Sequence, residues 1–349
     1  MLTVAIHCDP KAPTPYSARW AEFLEAAQVD VRWVNLRLPD ALEQVRGCAG
    51  VMWHWEFMPH ERQVAYRILH TIEEYLKIPV FPNHRTAWHY DDKITQYYIF
   101  QALDIPTPTT WIFWDHEPAR EWAEETSYPK VFKLATGASS FAVRIVHSKA
   151  EAFKIIDMMF GPGTYPDAIH QTAADTGILP KNIEQFRKRL SRWKQILRWA
   201  IKDKLPDLPP RFWWQPEKNY VYFQEFIPEN AFDTRITVIG KRAFGFRRNN
   251  RPGDFRASGS GQLDYDSPIN LDCVRLAHEI SAKLQVQSMA YDFLVKPGGQ
   301  PVVCEMSYTF LDWAVEKCAG YWTPDLQWVP GHIWPEAAQV EDFLKRIIE

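Results

Sequence analysis

Short apolar runs and helical stripes alternate along the first eighty residues. Residues 2–7, 29–36 and 50–53 are runs of strand length, while 17–27, 42–45 and 61–76 repeat apolar positions at helical spacing. Val80 and Phe81 make a fourth short strand closed by Pro82. This rhythm predicts βαβ units, hence a parallel sheet covered by helices. No G-x-G-x-x-G follows the first strand, so the dinucleotide fingerprint is missing. A helix is then predicted after Asn83, running through Asp91, Asp92 and Lys93 to about residue 103, before Pro106 and Pro108. Residues 130–135 and 141–146 read as a hairpin around a turn of small residues, followed by a helix near 149–159.

Between 181 and 205, Ile183, Phe186, Leu190, Trp193, Leu197 and Ile201 recur at steps of three and four, a helix face. The last third is strand-rich, with strands predicted at 220–227, 235–239, 242–247, 290–296 and 301–306 and a helix at 271–284. The pattern as a whole is α/β. It suggests an N-terminal α/β domain over 1–85, a central domain over 86–227 containing the 181–205 helix, and a C-terminal domain over 228–349.

Charge changes this picture locally rather than globally. The 349 residues carry 40 Lys plus Arg and 43 Asp plus Glu, a net −3, too balanced for a surface devoted to nucleic acid. The helix 181–205 is the exception, with nine basic residues against Glu184 and Asp203. It either lies on an anionic membrane surface or packs its apolar stripe within the central domain. Five Cys without a CxxC pair predict neither disulfides nor a zinc site, and no apolar stretch is long enough to span a membrane. A reducing cytoplasm and a homo-oligomeric state are the expectations. Sixteen Trp stand out. Trp53, Trp55, Trp88, Trp313 and Trp322 are candidates for stacking on a sugar face, and His54 lies at the end of the third strand where a substrate could sit.

Three constellations could carry chemistry. If Pro297–Gly298–Gly299–Gln300 is a turn with Lys296 opposite Pro301, residue numbers summing to 597 face one another, which places Asp292 opposite Glu305. Opposed carboxylates on one sheet face repel unless a cation lies between them, and a hard divalent ion is the natural occupant. Lys133, on a strand leading into the small-residue turn, could bring an ammonium and backbone N–H groups to a phosphate. Arg235, Arg247, Arg248, Arg251 and Arg256 offer planar forks for carboxylates and phosphoryl groups, with salt bridges to Asp233 and Asp254 as the alternative.

Taken in order over residues 80–315, these pieces resemble the ATP-grasp superfamily, the fold of glutathione synthetase, D-alanine:D-alanine ligase and the ligases that add glutamate to a ribosomal protein. Asp92-Lys93 is similar to the family's Asp-Lys, and 104–108 to its Gly-Ile-Pro-x-Pro feature. The resemblance implies that Lys93 and Lys133 bind ATP phosphates under a lid containing Gly137, Ser139 and Ser140. It places Gln224, Glu225, Phe226 and Ile227 at the adenine, the backbone and a carboxylate reading the purine edge, and Glu229 at the ribose. Arg235, Arg248 and Arg256 take the γ-phosphate and acyl-phosphate region. Asp292 and Glu305 take Mg²⁺ or Mn²⁺, with Ser307 where the family has asparagine. Residues 88–93 and 254–259 further resemble a bacterial branch associated with surface-polysaccharide biosynthesis.

The activity so implied is an ATP- and Mg²⁺-dependent carboxylate–amine ligation through an acyl phosphate, on small-molecule substrates that include sugar-linked ones. A phosphotransferase and a nucleotide-binding regulatory protein without turnover are the alternatives.

Overall fold

The computed structural model describes residues 2–8, 14–137, 143–165, 216–251 and 253–348. The small-residue positions Ser139 and Ser140 and the basic helix expected at 181–205 lie outside the described residues. Two compact units are present, Met1–Trp111 with Gln224–Glu349, and Ile112–Gly137 with Phe141–Phe223.

The first unit opens with the expected parallel sheet, in the order β2-β1-β3-β4: β1 (Thr3–His7), β2 (Asp30–Val34), β3 (Gly50–Met52) and β4 (Val80–Phe81). Helix α1 (Pro15–Ala26) starts two residues before the expected 17–27. Thr14 caps it by accepting a bond from the Ser17 amide at 3.2 Å, and Pro15 occupies a first-turn position where no N–H is needed. The short α2 (Ala41–Gln44) follows β2. The helix predicted at 61–76 is two pieces: α3 (Pro59–Thr71) runs into a π-helical turn, Ile72–Leu76, which the left-handed Lys77 (φ 56°) ends.

One predicted helix is broken. Instead of running through residues 91–93, α4 (His84–Ala87) stops and α5 (Lys93–Ala102) starts afresh. Asp91 adopts a left-handed φ of 53°, and Asp92 becomes the cap of α5, accepting bonds from the Thr95 amide (3.0 Å) and hydroxyl (2.7 Å). Asp at a cap satisfies orphan amides that a mid-helix Asp cannot reach. The break puts Lys93 at the first position of a helix.

The large sheet of this unit has seven strands. Its path is β13-β12-β9-β10-β14-β15, with β11 (Leu263–Asp264) also on β10. These strands are β9 (Phe232–Ile239), β10 (Arg242–Asn249), β12 (Ser288–Val295), β13 (Pro301–Ser307), β14 (Gly320–Trp322) and β15 (Trp328–Pro330). Period-two alternation divides its faces. Ile236, Val238, Met289, Tyr291 and Phe293 pack on one face against Cys273, Val274, Ala277 and Ile280 of α8 (Leu271–Leu284). The other face is apolar at one end, where Ile239, Phe244, Phe246 and Ala290 join Ala314 and Val315 of α9 (Asp312–Glu316). At its other end the same face carries charge.

The C-terminal helix α10 (Pro335–Ile348) was not predicted, and it closes the first unit. The Trp20 indole N–H donates to the Gln339 side-chain oxygen at 2.9 Å, and Phe343 lies against Gly50 at the start of β3. A Cβ on Gly50 would stand 2.6 Å from two carbons of that ring. Gly50→Ala is therefore expected to lower stability by ~1–3 kcal/mol through overpacking, read as a lower urea midpoint at unchanged m.

In the second unit, β6 (Lys130–Lys133) and β7 (Val143–Val146) form the predicted hairpin, with Lys133 opposite Val143. They belong to a sheet ordered β5-β8-β6-β7, in which β5 (Thr110–Phe113) and β8 (Val221–Glu225) contain the boundaries between the units. Helices α6 (His116–Glu125) and α7 (Lys149–Met159) pack on each other, and Trp122 of α6 lies against Phe223 of β8 at 4.9 Å.

Candidate active site

The charged end of the seven-stranded sheet is a row of side chains on one face. Cross-strand pairing sets Arg248 opposite Asp233, Arg235 opposite Asp292, and Asp292 opposite Glu305. Directly opposed residues share a face, so β10, β9, β12 and β13 each contribute to it. Arg235 grips Asp292 with two bonds, Nε to Oδ1 at 2.7 Å and Nη2 to Oδ2 at 2.8 Å. Arg248 donates to both oxygens of Asp233 at 2.7 and 2.5 Å and reaches Asp292 Oδ2 at 2.7 Å. From above, the Lys93 ammonium stands 3.3 Å from Glu305.

Burial would normally suppress charge here; pairing reverses that at Asp292, Lys93 and Arg248, whereas burial outweighs it at Asp233 and raises that carboxyl's pKa. Burial opposes ionisation of Asp292, but Arg235 and Arg248 outweigh it and hold the carboxyl well below the usual carboxylate range. Burial likewise works against the Lys93 ammonium, yet Glu305 and Asp91 raise its pKa, so it stays charged. Arg248, also buried, is held still more firmly protonated by Asp292 and Asp233. The row holds three cations and three carboxylates.

The predicted opposition of Asp292 and Glu305 is present, but the turn that was expected to produce it is not. Val295, not Lys296, faces Pro301, and Lys296 donates its amide to Gln300 within the turn. The pairing shifts between Asp292 and Phe293, where Cys304 is the extra residue on β13. Two one-residue differences cancel.

Among the described residues no three His, Cys, Asp or Glu side chains converge as a metal cage. Two opposed carboxylates such as Asp292 and Glu305 could hold Mg²⁺, an ion that takes one or two carboxylates together with waters and phosphate oxygens. Glu305 is the readier donor, since its side chain is 34% exposed, whereas Asp292 is 11% exposed and both its oxygens already accept guanidinium bonds. The Ser307 hydroxyl donates to the Thr309 carbonyl at 2.8 Å, which makes it a weaker ligand than the carboxylates.

The other predicted residues are placed less centrally. The Arg256 guanidinium is held by Asp254 at 2.7 and 2.9 Å, the salt bridge given as the alternative. Arg251 and Arg247 bond to the carbonyls of Gly259 and Pro268. The Gln224 side chain is buried and donates to Thr110 at 3.0 Å. The Glu225 carboxylate accepts from Lys296 at 3.0 Å and the Thr109 amide at 3.1 Å. Phe226 is half-buried near Phe255, Ile227 is buried, and Glu229 is exposed with φ 64°. In the second unit Lys133 is buried at the end of β6, and Gly137 takes φ 113°, a backbone conformation that favours glycine.

The tryptophans separate sharply. Trp53 and Trp55 are 2% and 1% exposed in the core, so neither can stack on a sugar. Trp322 is half-buried against Trp328, while Trp88 and Trp313 remain exposed. His54 stacks on Tyr16 at 3.8 Å, and burial pushes its pKa down to about 4, leaving a neutral imidazole.

Beyond β13 the chain is anchored by Arg19, which bonds Asp312 and, at 3.2 Å, Glu336. Burial pushes the Glu336 carboxyl up to about 7. A carboxyl with a raised folded pKa keeps its proton while the unfolded chain has lost it. Its contribution is greatest below pH 4.5, falls as pH rises to about 7, and is flat above that. The fall is expected to be about 3 kcal/mol, absent in Glu336→Gln, as measured by urea unfolding across that range.

Sequence reasoning offered Asp233 as a salt-bridge partner without fixing which arginine it takes, and it missed the pairing of Asp292 with Arg235 and Arg248 and of Lys93 with Glu305. The first was readable: the two-residue turn Gly240–Lys241 between β9 and β10 puts residue numbers summing to 481 opposite, hence Asp233 and Arg248.

No family profile matches the sequence, and no curated protein does. Solved structures match over almost its whole length. A RimK-domain ATP-grasp protein from Sphaerobacter thermophilus is 16% identical with a TM-score of 0.55, over 98% of this chain and 99% of that one. D-alanine–D-alanine ligase from Bacillus anthracis, complexed with ATP, is 12% identical at TM-score 0.58, over 99% and 98%. The ATP-grasp ligase PsnB, complexed with a minimal precursor, Mg and ADP, is 12% identical at TM-score 0.53, again over 99% and 98%. The chain has the ATP-grasp fold. No helix among the described residues is long and apolar enough to cross a membrane.

Proposed function

We propose that this chain is an ATP-dependent carboxylate–amine ligase that works through an acyl phosphate. The observation that carries the reading is the opposition of Asp292 and Glu305 beside Arg235, Arg248 and Lys93 on one sheet face of an ATP-grasp fold. Lys93 and Lys133, with Gly137, Ser139 and Ser140, are assigned to the ATP phosphates. The backbone of 224–227 is assigned to the base and Glu229 to the ribose. Asp292 and Glu305, with Ser307 as a weak third donor, would hold Mg²⁺ or Mn²⁺, which when bound neutralises phosphate charge.

Arg235 and Arg248 hold the substrate carboxylate and the phosphoryl group against each other, and Arg256 is assigned to the same anions from the neighbouring loop. A carboxylate oxygen attacks the γ-phosphorus and ADP leaves. An amine then attacks the acyl carbon and loses a proton, and phosphate departs carrying one oxygen of the original carboxylate. No side-chain nucleophile is needed.

The test uses a carboxylate labelled with ¹⁸O. A panel of amino acids, amino sugars and peptides is screened for ADP release, the peptides because PsnB was solved with a precursor and the amino sugars because of the surface-polysaccharide resemblance. Label arriving in inorganic phosphate together with an amide is the expected result. A stable phosphorylated product without amide would make the protein a phosphotransferase. ATP binding with no turnover on any panel member would make it a nucleotide-binding protein.

A further inference from the structure

β13 is the terminal strand of its sheet, so alternate residues along it point their N–H and C=O away from β12. Two outward positions are satisfied from the segment that leads out of the parallel sheet. At Val303, the amide donates to the Pro106 carbonyl at 2.9 Å and the carbonyl accepts from the Thr107 hydroxyl at 2.9 Å. At Met306, one side chain does both jobs. Gln96 Nε2 donates to the Met306 carbonyl at 2.8 Å, and its Oε1 accepts from the Met306 amide at 3.1 Å. A carboxamide carries the same donor and acceptor as a peptide unit, so Gln96 stands in for the next strand at that point.

Its position couples two parts of the row. Met306 lies between Glu305 and Ser307, whose side chains are on the candidate metal face. Gln96 lies three residues after Lys93 on α5, so the two share a helix face. That face sends Lys93 to the Glu305 side chain and Gln96 to the backbone of the next residue. Gln96 is only 2% exposed, and its Nε2 also donates to the His89 carbonyl at 3.2 Å, which ties down the chain entering α5. Nothing in a carboxylate–amine ligation calls for this glutamine chemically.

We infer that Gln96 is a positioning residue that fixes the register between the Lys93 helix and the strand bearing Glu305 and Ser307, and so sets the metal requirement of nucleotide binding. The inference rests on the reading of Asp292 and Glu305 as metal carboxylates. Gln96→Leu keeps the volume but leaves the Met306 amide and carbonyl without their partner. Gln96→Glu can accept from the amide but, when ionised, cannot donate to the carbonyl.

The test compares the full-length wild type, Gln96→Leu, Gln96→Glu and a control, Gln339→Leu. The control removes a comparably buried glutamine that bonds Trp20 and, at 3.4 Å, Ser288 at the start of β12, four residues before Asp292. Two quantities are read: amide exchange at Met306 against Glu305, and the free Mg²⁺ needed for half-maximal binding of a non-hydrolysable ATP analogue by calorimetry. In both Gln96 variants the Met306 amide is expected to exchange at least ~10-fold faster and the Mg²⁺ requirement to rise ~10-fold, with the control unchanged in both. Faster exchange at Met306 with an unchanged Mg²⁺ requirement would overturn the inference, as would an equal rise in the control. If the wild type binds the analogue without any Mg²⁺ dependence, the metal reading itself fails, which the first two results leave standing.

Discussion

Asp292→Asn is expected to lose stability and activity together. The substitution removes one negative charge from a buried set and leaves Arg235 and Arg248 facing Asp233 alone, an uncompensated positive charge among side chains only 7–17% exposed. Breaking a buried pair by deleting one partner costs ~3–5 kcal/mol, a large share of what holds a domain folded. Urea unfolding should show that loss, and substrate-dependent ADP release should fall at least ~10³-fold because the same carboxylate orients both arginines. A variant as stable as the wild type would mean that the guanidiniums find other partners and that the row is not a coupled unit.

Glu305→Gln is expected to separate the two effects. Its carboxylate is a third exposed and its buried partner Lys93 keeps Asp91 as a nearby negative charge, so the stability cost should be smaller than that of Asp292→Asn. Binding of Mg²⁺-ATP and turnover should nonetheless fall by ~10²-fold or more, since Glu305 is the more accessible oxygen donor on the row. Calorimetric titration with a non-hydrolysable ATP analogue reads the first and ADP release the second. Unchanged Mg²⁺-dependent affinity would remove Glu305 from the site.

Local rules carried the reading of the sequence where the structure obeys them. The four parallel strands, α8, the Lys133 hairpin and the opposition of Asp292 to Glu305 all follow from periodicity and turn positions. The last came out right although Lys296 does not face Pro301, because the bulge at Cys304 restores the count. Three features depended on contacts that no local pattern contains. Asp92 reads as one of a helical acidic pair until its bonds to Thr95 make it a cap. Trp53 and Trp55 look like site residues because they end a parallel strand, yet the packing of Tyr90 and Tyr308 around Trp55 buries that end. The pairing of Arg235 with Asp292 joins strands 57 residues apart, and only the sheet order reveals it. Had β9 been placed beside β12 in advance, the arginines would have been read as partners of the metal carboxylate rather than as a separate anion site.

The balance within the row has a kinetic consequence. With Lys93, Arg235 and Arg248 set against Asp233, Asp292 and Glu305, the fixed charges cancel over a few ångströms and project little field into solvent. If the proposed function holds, encounter with an anionic nucleotide is then unsteered by this face. Its association rate should sit in the ordinary range and barely change with ionic strength, so that selectivity for the nucleotide resides in how slowly it leaves.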